Sequence, residues 1–452
     1  MLRPLVAALL LIAPALSAQI RPVVTLRSGP MVGASDMREV KLWAQTTGAA
    51  RVRIAYWDSA APSVRHATAE VLTRRDSAYV ANLVADEVEA GHTYGYEVQV
   101  DGRVVRRPYP MKFRTPPFWQ YFTDPPNFTL MLGSCLYVRE PGTDRPNSSY
   151  GESTEIVRAM AAMHPELMLW LGDNAYLREV DWNSWTGILR RWTHTRSLPA
   201  LQPFLASTAH YAIWDDHDYG PNDADRGFWN KGETRAGFGL FWPNPGRGIP
   251  ELGGAITSQF AWGDAEVFLL DDRWFRAPDK RTTGDRPYLG EAQLQWLIDA
   301  LATSRATFKI VAFGGQVLNP ATVWENYATY AAERQRLLDL LAQEQVKGVV
   351  FLSGDRHHTE LTRMERPGTY PLYDLTVSPL SAGVSAPSAE EQNTGRVEGT
   401  LVNARNFATL EFSGPAAARV MTIRVFDETG GELWNRAITA AELGTTSVRS
   451  ER

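Results

Sequence analysis

Cysteine is almost absent from this chain, with Cys135 the single thiol in 452 residues. An internal disulfide framework is therefore excluded, and Cys135 is either a small buried hydrophobe or a reactive or ligating group. No sign of charge dominates either. The 46 Lys and Arg stand against 51 Asp and Glu, a formal charge of -5, so there is no broad electrostatic reason to bind nucleic acid or an anionic membrane. Beyond residue 18 no apolar run is long enough to span a bilayer, and no internal repeat is visible. What remains is a globular composition, 44% hydrophobic and 21% charged, in a chain too long for one ordinary domain.

The first residues, MLRPLVAALLLIAPALSAQ, place Arg3 before an apolar run and small residues at Ser17 and Ala18. This reads as a cleaved secretory signal at 1–18, which makes the mature protein periplasmic or secreted. No cysteine follows it, so a lipid anchor is not supported. From 19 to 117 the pattern alternates with period two: Val40, Leu42 and Ala44, then Val52, Ile54 and Tyr56, then Tyr94, Tyr96, Val98 and Val100. Short antiparallel strands in a small β-sandwich are expected, and GHTYGYEVQVDG resembles a late strand of a fibronectin type III domain followed by a DG hairpin turn. His66 and His92 stand alone there and read as structural. Paired prolines at 116–117 and 125–126, within RTPPFWQYFTDPPNF, mark a linker packed by its own aromatics.

From 118 to 445 apolar strands alternate with amphipathic helices, which argues a layered α/β domain with its ligands beyond the carboxyl ends of the strands. The last strands, from about Gly399 to Arg436, are expected to complete a sheet of this domain, and 382–398 reads as a long loop. The polar residues gather where the strands end: Cys135; Asp173, Asn174 and Tyr176; Asp215, Asp216 and His217; Asp271, Asp272 and Arg273; Gln316; Asp355, Arg356, His357 and His358. A buried edge this rich in carboxylates repels itself unless cations neutralise it.

Five ordered motifs, LGSC, LGDNAY, WDDHDYG, LLDDRWFR and SGDRHH, behind a small β domain, resemble the alkaline phosphatase D branch of the calcineurin-like metallophosphoesterases. The resemblance covers nearly the whole mature chain. It implies a four-layer αββα sandwich and hydrolysis of phosphomonoesters or phosphodiesters at an iron and calcium centre. By position it implies that Cys135, Tyr176 and His357 hold a first cation and Asp216 and Asp355 a second, with Asp173 bridging. His217 faces the substrate and serves catalysis. A phenolate ligand favours Fe(3+) at the first site, and an oxygen-rich second site suits a hard cation such as Ca(2+). The family's further histidine has no counterpart, and Gln316 is the candidate in its place. Asn174, Arg273 and Arg356 are candidates for holding phosphate oxygens, with an ion pair to Asp271 or Asp272 as the other use of Arg273. Asp215 and Asp218 read as supports. The expected mechanism is two-metal hydroxide attack on a small phosphate ester, with nucleic acid only as a possible substrate. The alternatives are a purple-acid-phosphatase-like enzyme, a polymer-directed phosphodiesterase or nuclease, and a non-catalytic surface binding protein with a relic metal site.

Overall fold

The strand Leu167–Leu171, sequence LMLWL, is buried at every position. Leu167, Leu169 and Leu171 enter one apolar cluster, while Met168 and Trp170 enter a second. Alternate side chains of a strand point to opposite faces, so this strand is covered on both sides, which is why it is apolar throughout rather than alternating. The computed structural model in which this is seen describes residues 23–445 apart from 145–149, 152, 247 and 390. The expected signal segment 1–18 lies outside the described residues.

Two sheets meet face to face. The first has nine strands, in the spatial order Glu432–Thr439, Val420–Asp427, Asn406–Ser413, Phe128–Gly133, Leu167–Leu171, Ala209–Ile213, Leu26–Ser35, Val40–Thr46 and Val80–Ala85. The second has six, in the order Ser258–Trp262, Ala265–Leu269, Phe308–Ala312, Val349–Ser353, Leu372–Thr376 and Glu360–Met364. Helices Glu155–Ala162, Trp185–Arg196 and Lys231–Phe241 pack Ile156, Met160, Ile188, Trp192 and Phe241 against the outer face of the first sheet. Glu291–Thr303 and Ala331–Gln343 place Leu294, Leu297, Leu337 and Leu341 against the second. This is a four-layer αββα sandwich, and the C-terminal strands complete the first sheet. The strands Phe128–Gly133, Leu167–Leu171 and Ala209–Ile213 run parallel. So do Ala265–Leu269, Phe308–Ala312, Val349–Ser353 and Leu372–Thr376. The parallel strands of both sheets deliver their carboxyl ends to the same region.

The N-terminal sandwich pairs Arg51–Asp58 with Thr93–Val100 in one sheet, and closes the hairpin to Arg103–Val105 through Asp101 and Gly102, both at positive φ. Its other sheet, Leu26–Ser35, Val40–Thr46 and Val80–Ala85, is not separate from the main domain. Val32 pairs in parallel with Ala209, so the sandwich sheet continues the nine-stranded sheet. The expected linker is pinned as well: Trp119 Nε1 donates to the Gly263 carbonyl, and Arg419 donates to the Pro126 carbonyl and to Asp264. Phe118, Tyr121 and Phe122 touch one another but stay exposed, so the aromatics do not bury the linker as expected. Among the described residues no helix is long and apolar enough to cross a membrane.

Candidate metal centre

The turn after Leu167–Leu171 begins with Gly172 at φ 92°, where an added Cβ would lie 2.6 Å from Asp215 Cβ. Only glycine accepts both that backbone and that approach. Asp173 follows at φ 54°, and Cys135, Asp355 and His357 share the left-handed region at 59°, 62° and 58°. Each such residue costs about 1–3 kcal/mol. The strain is concentrated where strand ends turn their side chains inward.

Three groups of ligand atoms, each within 4.8 Å of one another, result: Cys135, Asp173 and His357; Asp173, Asp216 and His217; Asp216, Asp223 and Glu325. Asp173 belongs to the first two, and Asp216 to the second and third. Cys135 Sγ lies 3.6 Å from Asp173 Oδ2 and receives the Ser378 hydroxyl at 3.2 Å. The His217 backbone N–H donates to Asp173 Oδ1 at 3.3 Å. Tyr176 lies with its ring centroid 4.3 Å from that of His217, and its hydroxyl is buried with no hydrogen-bond partner among the described residues. Asp216 Oδ1 is in the same condition. Asp355 is in none of the three groups, although its charge acts on Asp173 and His217.

The electrostatics say what these residues need. Burial, and then the charges of Asp216 and Cys135, hold the Asp173 carboxyl well above its usual range. Burial, then Asp173 and Cys135, does the same to the Tyr176 phenol. The Cys135 thiol is pushed up to about 12 by burial, against the pull of the Ser134 and Ser378 hydroxyls. Burial and then His217 lower the His357 ring to about 4, which leaves the neutral, ligating imidazole. A thiol, a phenol and the Asp173 carboxyl are held protonated beside Asp216, which, against burial, His217 and Arg273 keep below its usual range; this set, with two buried oxygens unpartnered, fits cations placed among them. A positive ion supplies the charge that lets each acid ionise.

Supports hold the turns. Asp218 accepts the backbone N–H of Asn174 at 3.1 Å, of Ala175 at 2.8 Å and of Asp215 at 3.1 Å, tying the turn after Leu171 to the one after Ile213. Asp215 and Asp218 form a capping box on the short helix Asp216–Tyr219. Asp272 accepts from Tyr288, Gly314 and Gly315, and Asp271 from Trp214.

Several expected roles are corrected. Gln316 does not reach the cluster: its Nε2 donates to Glu360 at 2.7 Å and Thr376 at 2.9 Å, and its Oε1 accepts from Asn319. Arg273 is wholly buried and closed to phosphate; its guanidinium is shared between Asp215 at 2.6 Å and both oxygens of Glu325 at 2.7 Å. Of the two expected ion-pair partners, Asp272 is kept, at 3.9 Å. Asn174 donates to the Ile213 carbonyl at 2.8 Å and to Asp218, so its amide nitrogen braces the turn rather than meeting phosphate. Arg356 pairs with Glu391 and keeps a buried Nε with no partner among the described residues. His358 turns away to the Ser385 carbonyl and Glu360. Sequence reasoning missed Asp223 and Glu325. Asp223 lies seven residues after Asp216, in the same turn-rich stretch, and donates its N–H to Asp216 Oδ2 at 2.8 Å. Glu325 gave one signal, a carboxylate between a Trp and an Asn in the loop after Phe308–Ala312.

A family profile described as PhoD-like phosphatase matches residues 147–422, and a second, described only as a domain of unknown function (DUF7800), matches 23–118. Alkaline phosphatase D of Bacillus subtilis (strain 168) is 25% identical over 200 residues, which is 37% of this chain and 34% of that protein. The alignment thus spans about a third of the relative's length. A solved structure titled "Structure of PhoD" superposes with a TM-score of 0.71 at 17% identity, covering 91% of each chain, and shares the fold.

Proposed function

This chain belongs to the PhoD-like phosphatase family, and from that premise we propose that it is an exported hydrolase of phosphomonoesters, phosphodiesters or both, working with two unlike cations. The observation that carries the reading is the shared carboxylate, since Asp173 stands in both the Cys135–His357 group and the Asp216–His217 group. Cys135, Tyr176 and His357 would hold Fe(3+), for which a thiol, a phenol and an imidazole are suitable donors. Asp216 and Asp355 would hold Ca(2+), which takes several carboxylate oxygens. When bound, such cations supply Lewis-acid stabilisation of phosphoryl charge and an acidified water.

The chain's own residues supply the geometry. Asp173 sets the spacing of the two halves, and its left-handed backbone aims the carboxylate between them. His217 is oriented by its backbone bond to Asp173 and by the Tyr176 ring, and passes a proton to the departing alkoxide. Asp218 fixes Asn174 and Ala175, and so the turn that carries Tyr176.

Natively expressed protein should contain iron and calcium by elemental analysis and should hydrolyse an aryl phosphate mono- or diester. Chelation should abolish turnover, and Asp173→Ala and His217→Ala should each lower kcat by about 100-fold or more. Turnover that survives chelation and both substitutions would sink the proposal. Export is tested separately, by N-terminal sequencing of the mature protein, which should begin near residue 19 rather than at Met1.

A further inference from the structure

The loop that follows Phe308–Ala312 sends two neighbouring side chains in opposite directions. Glu325 is buried in the group with Asp216 and Asp223, whereas Trp324 is 67% exposed. The loop that presents this indole is braced: Ala321 N–H donates to Asn319 Oδ1 at 3.0 Å, Asn319 Nδ2 to Gln316 at 2.8 Å, and Asn326 Nδ2 to the Ala321 carbonyl at 3.1 Å. Asn319 and Asn326 are wholly buried. Trp324 also has φ 49°, a backbone state in which a bulky residue is an outlier. Cys135, Asp173, Asp223, Asp355 and His357 share that state. The strain that shapes the centre therefore extends to an exposed tryptophan one residue from it.

A cation stands beside the ring. The Arg356 guanidinium carbon lies 6.0 Å from the Trp324 ring centroid, and Arg356 sits between Asp355 and His357 in the chain. It is only 8% exposed, and its buried Nε has no hydrogen-bond partner among the described residues. An exposed π-face beside a guanidinium, on a braced loop whose next residue joins Asp216 and Asp223, has the chemistry to receive a flat ring joined to an anion.

We propose that Trp324 is the stacking platform for a planar aromatic group of the phosphate ester, with Arg356 at its edge as the polar contact. This rests on the phosphoesterase reading above. Trp324 is a specificity residue: it holds one end of the ester and takes no part in bond breaking. An aryl ring and a nucleobase offer the same π-face, so the test includes both.

The experiment compares full-length, metal-loaded wild type, Trp324→Ala and Trp324→Phe on methyl, phenyl and nucleoside phosphodiesters. Trp324→Ala should raise KM about 10-fold for the aromatic esters, in line with the usual loss on removing a stacking ring. The kcat values and the KM for the methyl ester should hold, and Trp324→Phe should restore most of the loss. Calorimetric titration should show the same effect without turnover, as Trp324→Ala loses the extra affinity of a nucleoside or phenyl monophosphate over inorganic phosphate. A loss confined to the nucleoside ligands supports the platform with a base as its group, and a loss shared with phenyl supports it with any aryl ring. Equal effects on methyl and aromatic esters, or no effect on any, overturn it. Because Trp324 is exposed, its substitution leaves the core untouched. A wild type that hydrolyses none of the three diesters and no aryl phosphate monoester refutes the phosphoesterase reading, and the titration then decides the platform alone.

Discussion

His210 shows how much a single buried side chain can constrain the protein. Trp170 Nε1 donates to His210 Nδ1 at 3.0 Å, and His210 Nε2 faces the Phe204 carbonyl at 3.2 Å. Nδ1 must therefore keep its lone pair and Nε2 its proton, which fixes the neutral tautomer. Burial pushes the ring down to about 3, from 6.5 when free. The folded state then binds fewer protons than the unfolded state between these values, so the contribution is intact above the free value and is lost as pH falls below it. The loss approaches about 1.4 kcal/mol per pH unit. His210→Gln can keep both hydrogen bonds without titrating. Urea unfolding from neutral pH to about pH 5 should give a shallower decline for this variant, and equal slopes would refute the assignment. Its role could not be assigned from sequence: the resemblance places His217 at the centre, but nothing in HYAIWDDHDYG shows that His210 faces Trp170.

Between elements, Asp218 joins two strand-end turns that also share a backbone bond, from the Leu177 N–H to the His217 carbonyl at 3.0 Å. Removing its carboxylate in Asp218→Ala leaves the N–H groups of Asn174, Ala175 and Asp215 buried without their acceptor. The expected cost is about 3 kcal/mol, read as a lower denaturation midpoint, together with reduced metal retention because Tyr176 is carried by the freed turn. Unchanged metal content in a folded variant would limit Asp218 to stability. The strands that end in the centre were legible because they are apolar until a final carboxylate, as in LMLWLGDN. The loop carboxylates were not, since Asp223 and Glu325 lie in stretches with no periodicity to place them. Gln316 follows a strand just as a ligand would, but nothing local reveals that Glu360 and Thr376, from two other strands, take its amide. Arg273 was misread for the same reason, because its partners Asp215 and Glu325 come from distant turns. Ser258–Trp262 and Glu360–Met364 are antiparallel strands whose sequences, SQFAW and ELTRM, are broken by polar residues where the legible strands of the same length are apolar.

At the scale of the molecule, the period-two pattern of 19–117 revealed the sandwich but not its continuity with the larger sheet, which depends on Val32 meeting Ala209. Deleting the sandwich would uncover the Ala209–Ile213 strand edge, and an unpaired edge recruits another chain. A chain beginning at 118 should therefore self-associate, as read by light scattering, and a monodisperse monomer would contradict this. Arg419 makes a second tie. It is buried against Asp264 at 2.7 Å and reaches the Pro126 carbonyl, joining the C-terminal strands, the second sheet and the linker. Arg419→Leu should cost about 3–5 kcal/mol by leaving a buried carboxylate unpaired, and the pair Asp264→Leu with Arg419→Leu should recover most of it. Chemical denaturation of the three proteins decides the matter.

The sheet order also sets a timetable. Phe128–Gly133, the strand that leads to Cys135, lies between Leu167–Leu171 and Asn406–Ser413. One of its neighbours is thus made soon after it and the other much later. Until Asn406–Ser413 emerges, that edge of the growing sheet stays open, with Phe128 lacking the Phe412 ring that stacks on it at 4.5 Å. Long-range pairing of this kind is slow and leaves the nascent chain prone to aggregation. Cys135, Asp173 and Asp216 follow strands made early, whereas His357 follows Val349–Ser353, and the first strand is enclosed only once Asn406–Ser413 has been made.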